Sequence, residues 1–166
     1  MRNWAFFLFI LIIGSCSDCS GPGISDAQIR EQAVREARQM SDAYIKKEYK
    51  KFVSYSPPIL IEGLGGEDRY IEYLELLDEQ NSEEQTQILD IQIGKVLDIS
   101  KEGTSIQVLL EQKVHSKLAG GRVTRSDSLI GVREGMNDDW KFLNVGGVGD
   151  SILRVRYPYL HENWDF

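Results

Sequence analysis

The sequence predicts an α+β fold, with helices first and then a curved antiparallel sheet against one face of which they pack. Three observations carry this. Apolar residues recur every three or four positions as far as about Glu79. From Leu89 onward they alternate with polar ones, as in half-buried strands. The breaks between the alternating runs are short, which suits an antiparallel meander. The chain of 166 residues is 42% hydrophobic and 27% charged, enough for one ordinary core and too apolar for disorder throughout.

The first helix starts at Ser25, a capping residue whose capping box is completed by Gln28. Ile29, Ala33, Ala37, Met40, Tyr44, Glu48 and Phe52 then mark one face, so the helix is expected to run to about Phe52. Pro57-Pro58 ends it, because proline lacks an amide donor and disfavours helix in the residue before it. A turn at Gly63-Leu64-Gly65-Gly66 leads to a second helix over Glu67–Glu79, with Ile71, Leu74 and Leu77 on one face. Glu67 and Asp68 favour its positive end. The strands follow at Leu89–Ile93, Ile106–Val114, Arg122–Arg133 and Trp140–Val145, with turns at Lys101-Glu102-Gly103 and Gly120-Gly121. Asp150 is placed to cap a short helix through Val155, and Gly146-Gly147-Val148-Gly149 reads as a hinge before it.

The N-terminus carries an address. Met1-Arg2-Asn3 precedes an apolar run from Trp4 to Ile13, too short to span a bilayer and of the right length for the middle of a secretory signal. Ile13-Gly14-Ser15-Cys16 resembles the lipobox of bacterial lipoproteins: a branched apolar residue, two small residues and a cysteine. That resemblance implies a diacylglyceryl group on Cys16 and cleavage before it. Cys19 follows Asp18, where a small residue is expected, and reads as an exposed thiol. The expected organisation is a signal peptide at 1–15, a flexible tether at 16–24, a domain at 25–157 and an aromatic tail at 158–166. The domain is expected outside the cytoplasm, lipid-anchored at the cell membrane or outer membrane.

Net charge is −7 and becomes −8 once Arg2 leaves with the signal peptide. Such a chain is unsuited to nucleic acid, and its own charge will not hold it on an anionic membrane. The partners expected are therefore the lipid bilayer through the anchor, a small apolar ligand or a protein, and a second copy of the chain through the open sheet face. No cofactor is expected. No metal is either, since the two histidines lie far apart and both cysteines fall in the tether.

The order of elements resembles the NTF2-like superfamily, the cone-shaped fold of ketosteroid isomerase and SnoaL-type proteins. The stretches that carry the resemblance are Ile106–Gln112, Leu118–Arg122, Ser126–Val132, Trp140-Lys141-Phe142 and the Gly65-Gly66 turn, across about residues 40–157. It implies a pocket between the sheet's concave face and the first helix. The superfamily holds enzymes and binding proteins alike, so the fold does not choose between them.

Alternation, guided by the apolar positions, turns inward Leu89, Ile91 and Ile93, then Ile106, Val108, Leu110 and Gln112. In the last two strands it turns inward Thr124, Ser126, Ser128 and Ile130, then Trp140, Phe142 and Asn144. With Tyr44 from the helix, the candidate ligand-binding residues are Tyr44, Gln112, Ser126, Ser128, Trp140 and Asn144. None of them exchanges a proton near neutrality, so the set favours binding over catalysis. The other face, with Glu111, Lys113, His115, Arg125 and Asp127, reads as a solvated outer surface, and no catalytic residue is assigned. Were that face inward, an enzyme of the isomerase, dehydratase or hydrolase kind would be the reading.

Overall fold

The computed structural model describes residues 24–135, 138–146, 157–161 and 164. The stretches expected to form a signal peptide and, before Ile24, a tether, with Cys16 and Cys19, and the hinge and short helix expected over 147–155, lie outside them.

Helix α1 (Asp26–Ile45) begins as expected. The Gln28 amide donates to Ser25 Oγ, and the Ser25 amide donates to Gln28 Oε1 at 3.0 Å. The helix buries Ile29, Ala33, Ala37, Met40 and Ala43. It does not run on to Phe52. Lys47 takes a φ of 60°, and the Glu48 amide folds back onto the Ala43 carbonyl at 2.9 Å. The chain then restarts as α2 (Tyr49–Ser54), which turns Val53 inward. The break lets the apolar face follow the core instead of leaving it. Pro57-Pro58 does stop α2, but Pro58 also opens an unexpected helix, α3 (Pro58–Gly63). Proline suits a first helical position because its missing donor would be unused there. Gly65 and Gly66, with φ of 90° and 105°, make the reversal into α4 (Glu67–Glu83).

Strands β1 (Gln87–Glu102), β2 (Ser105–Leu118), β3 (Gly121–Arg133) and β4 (Lys141–Asn144) form one antiparallel sheet in the order β1-β2-β3-β4. β1 has three register shifts, between Ile88 and Asp90, Ile93 and Val96, and Val96 and Asp98. Such irregularities bend a strand and increase its twist.

The sheet is buried on two sides. On the inner face α1 packs against Ile93, Val96, Val108, Leu110, Leu129 and Phe142. On the outer face Ile130, Val132, Leu143 and Val145 are covered by Tyr157, Leu160 and Trp164.

This register corrects two inward assignments. Leu89 faces out because the shift beside it reverses the alternation, and Ile88 faces in instead. In β3 the whole expected set, Thr124, Ser126, Ser128 and Ile130, is on the outer face. The turn between β2 and β3 holds two residues, with Leu118 opposite Gly121, so even-numbered residues of β2 stand beside odd-numbered ones of β3. Gln112 is therefore opposite Asp127, and Val114 opposite Arg125. Glu111, Lys113 and His115 do face outward; Arg125 and Asp127 do not.

Candidate functional site

Between the inner sheet face and the helices lies a cavity of about 390 Å³. The break after α1 and the turn at Ser56 bring four helices around it. α1 supplies Met40 and Tyr44, α2 supplies Phe52, α3 supplies Leu60 and α4 supplies Tyr70. Tyr44 and Phe52 have ring centroids 5.1 Å apart, and Phe52 and Tyr70 stand 6.5 Å apart, edge to face. These contacts join α1, α2 and α4 into one aromatic wall.

The tyrosine hydroxyls stay protonated. Burial, then the nearby Asp78 carboxylate, raises the pKa of Tyr44. Burial also raises that of Tyr70, against a hydrogen bond with Ser56 that lowers it.

The inner face of the sheet stands opposite in rows of directly paired residues, of which Ile91, Gln112, Val114, Arg125, Leu129 and Asn144 line the cavity. The deepest is Val96, Leu110, Leu129 and Asn144. The next is Ile93, Gln112 and Asp127; the outermost is Ile91, Val114 and Arg125. The wall is apolar at depth and polar at one margin. At that margin Asn144 Nδ2 donates to Gln112 Oε1 at 3.0 Å, and the Gly146 amide donates to Asn144 Oδ1 at 2.8 Å. Arg125 Nε donates to Asp127 Oδ2 at 2.7 Å. The Asp127 side chain is only 4% exposed and that of Arg125 is 62% exposed, so the pair runs from interior to mouth.

Of the residues named from the sequence, Tyr44, Gln112 and Asn144 line this cavity together. Ser126 and Ser128 do not reach it, being on the outer face. Trp140 is also away from it: its ring is buried behind Phe142, 6.3 Å between centroids, with the Arg133 guanidinium 5.0 Å over it. Cys16 lies outside the described residues. Arg125, Asp127 and Tyr70 were missed. For the first two, the signal was the length of the β2–β3 turn, which fixes parity. Tyr70 stands on the same helix face as Leu74 and Leu77 by spacing. His115 Nδ1 pairs with Thr124 Oγ1 at 2.9 Å on the outer face, and His161 packs against Ser100 and Glu102. Among the described residues no group of three or more His, Cys, Asp or Glu is arranged to hold a metal, and no helix is long and apolar enough to cross a membrane.

No protein-family model matches the chain, and no curated protein matches it in sequence. Solved structures do share its shape. One from Catenulispora acidiphila is 12% identical, covers 71% of this chain and 87% of its own, and has a TM-score of 0.52. An NTF2-like protein with a cystatin-like fold from Novosphingobium aromaticivorans is 8% identical over 76% of this chain and 87% of its own, with a TM-score of 0.49. A ketosteroid isomerase-like protein from Erwinia carotovora atroseptica is 13% identical over 67% of this chain and 89% of its own, with a TM-score of 0.38. These likenesses concern fold alone. The fold class expected from the sequence, α+β with helices packed on an antiparallel sheet, is the one found.

Proposed function

We propose that the chain is a membrane-anchored envelope lipoprotein whose domain is a non-catalytic module binding a small, mainly apolar ligand. The observation that carries the binding half is the cavity of about 390 Å³. It falls within the range of small-molecule sites and has their pattern of apolar walls with a few convergent polar groups. The anchoring half rests on Ile13-Gly14-Ser15-Cys16 after a short apolar run. Two acyl chains on one sulfur would give the stable attachment that a single chain does not.

The test is calorimetric. The full chain in phosphatidylcholine nanodiscs should bind 2-naphthalenemethanol, a neutral bicyclic probe, above an empty-nanodisc blank. Ile91→Trp, which fills the cavity from its half-buried outermost row, should abolish that binding while the protein stays folded by circular dichroism. Absent binding, or binding that survives Ile91→Trp, would overturn the proposal.

A second reading, an envelope enzyme, is favoured by one observation: Asp127, on the inner face of β3 beside the cavity-lining Arg125, is a buried carboxylate. Against it, Arg125 already engages that carboxylate. Chemical conversion of a bound carbonyl compound, lost in Asp127→Asn, would decide for the enzyme.

A further inference from the structure

We infer that the cavity takes an amphiphile with an anionic head, a carboxylate above all, seated with its apolar body at depth and its head against Arg125. This rests on the binding reading above and specifies its ligand.

The argument is one of unmatched hydrogen-bond polarity. At the polar margin the lining amide oxygens already accept hydrogen bonds, and donors are left over. Gln112 Oε1 accepts from Asn144, and Asn144 Oδ1 accepts from the Gly146 amide. Asp127 accepts from Arg125 through Nε. What remains is the Nε2 amide of Gln112, which is 2% exposed and lines the cavity, and the two terminal nitrogens of Arg125. None of these three has a partner among the described residues. A head group that completes the set must therefore bring acceptors. A neutral alcohol or amine brings a donor that finds fewer places to go.

Charge points the same way. Among the described residues that line the cavity, Arg125 is the one ionised side chain; Asp127 stands behind it and does not line the cavity. Asp127 neutralises part of its field but holds it only at Nε, and this orients the guanidinium with its planar terminal edge available. A carboxylate matches that edge in geometry, and charge-assisted pairs of this kind are stronger than neutral hydrogen bonds. The protein's net charge of −7 repels anions at long range, so any preference for an acid must be local to this margin.

Depth settles the orientation. Arg125 stands in the outermost of the three cross-strand rows, while Leu129 lines the cavity from the innermost, with Met40, Phe52 and Phe142 around it. A ligand with its charge at one end and its apolar body at the other meets both without burying an unpaired charge, which would be costly.

The experiment compares two probes of the same shape, 2-naphthoate and 2-naphthalenemethanol, by calorimetry on the full chain in phosphatidylcholine nanodiscs at pH 7. The acid should bind about tenfold more tightly, the scale of one charge-assisted hydrogen bond at a partly exposed group. Added salt should shrink that margin. Arg125→Gln should bring the acid's affinity down to the alcohol's, and Arg125→Lys should keep most of the preference. Equal affinity for acid and alcohol in the unaltered protein would overturn this inference and leave the binding reading standing. Binding of neither probe would remove both. A preference that persists in Arg125→Gln would also overturn it, since some other group would then be reading the charge.

Discussion

At the scale of the residue, Gly131 decides how the inner wall closes. It stands between Val108 and Phe142 in one cross-strand row. A Cβ there would lie 2.8 Å from Val108 Cγ2 and 2.9 Å from Phe142 Cε1. The Phe142 ring can lie flat over the strand only because nothing projects from it. Gly131→Ala should therefore destabilise the fold by about 1–3 kcal/mol, the usual cost of overpacking a filled core, as read by urea denaturation. An unchanged midpoint would show that Phe142 gives way freely. Arg133 is another residue with a specific setting. It is 4% exposed, donates from Nη1 to Gln32 Oε1 at 2.9 Å and rests on Trp140. Neither role could be read from spacing, because each depends on which residue stands across the strand. The capping box at Ser25 and Gln28 is the opposite case. It is a local pattern with a local cause, and it is present as written in the sequence.

At the scale of the element, residues 157–161 and Trp164 are fastened to β1 and β2 through side chains of those strands. Gln107 Nε2 donates to the Tyr159 carbonyl at 2.6 Å, and Gln107 Oε1 accepts from the His161 amide at 2.9 Å. Trp164 Nε1 donates to Asp98 Oδ2 at 2.8 Å. That indole hydrogen bond, then the Ile99 amide, holds the Asp98 carboxyl below the ordinary carboxylate range. A lowered carboxyl pKa contributes stability that is complete above the unfolded value of about 3.9 and is lost as pH falls through the folded value. Acid titration followed by tryptophan emission should thus show the indole freed below the usual carboxylate range. Asp98→Asn should remove that acid step; an identical titration in the variant would exclude Asp98 as its cause.

This segment also explains where the sequence misled. Ile130 is apolar because Tyr157, Leu160 and Trp164 cover the outer face, not because it points at α1. With both faces of β3 apolar at that end, alternation had no single answer, and Ser126 and Ser128 were placed inward with it. Strand existence and order were legible, since they need only period and turns. The cavity's helical wall was legible in part through Tyr44. Its charged margin was not, because one residue more or less in the turn at Ala119-Gly120 reverses the parity of every side chain after it.

At the scale of the whole molecule, the cavity belongs to no single element. α1, α2, α3, α4 and all four strands contribute to it, and Tyr157 closes it from the C-terminal side. The domain thus has no need of an apolar exterior to reach a membrane if Cys16 supplies the attachment. In bacterial cells, Cys16→Ala should abolish incorporation of labelled palmitate and release the protein from the membrane fraction while its near-ultraviolet dichroism stays native. Palmitate label retained in Cys16→Ala would move the anchor elsewhere.

The burial of the sheet on both sides is uneven along its length, and this has a consequence for motion. Val108 and Leu110 in β2, with Leu129 and Ile130 in β3, lie under cover above and below. Farther along the same strands Lys113, Thr124 and Ser126 are open to solvent. Amide protons should exchange slowly at the first end of this ribbon and quickly at the second. The quick end is the one that carries Arg125, so the stretch that meets an incoming molecule first is also the one best able to yield to its shape.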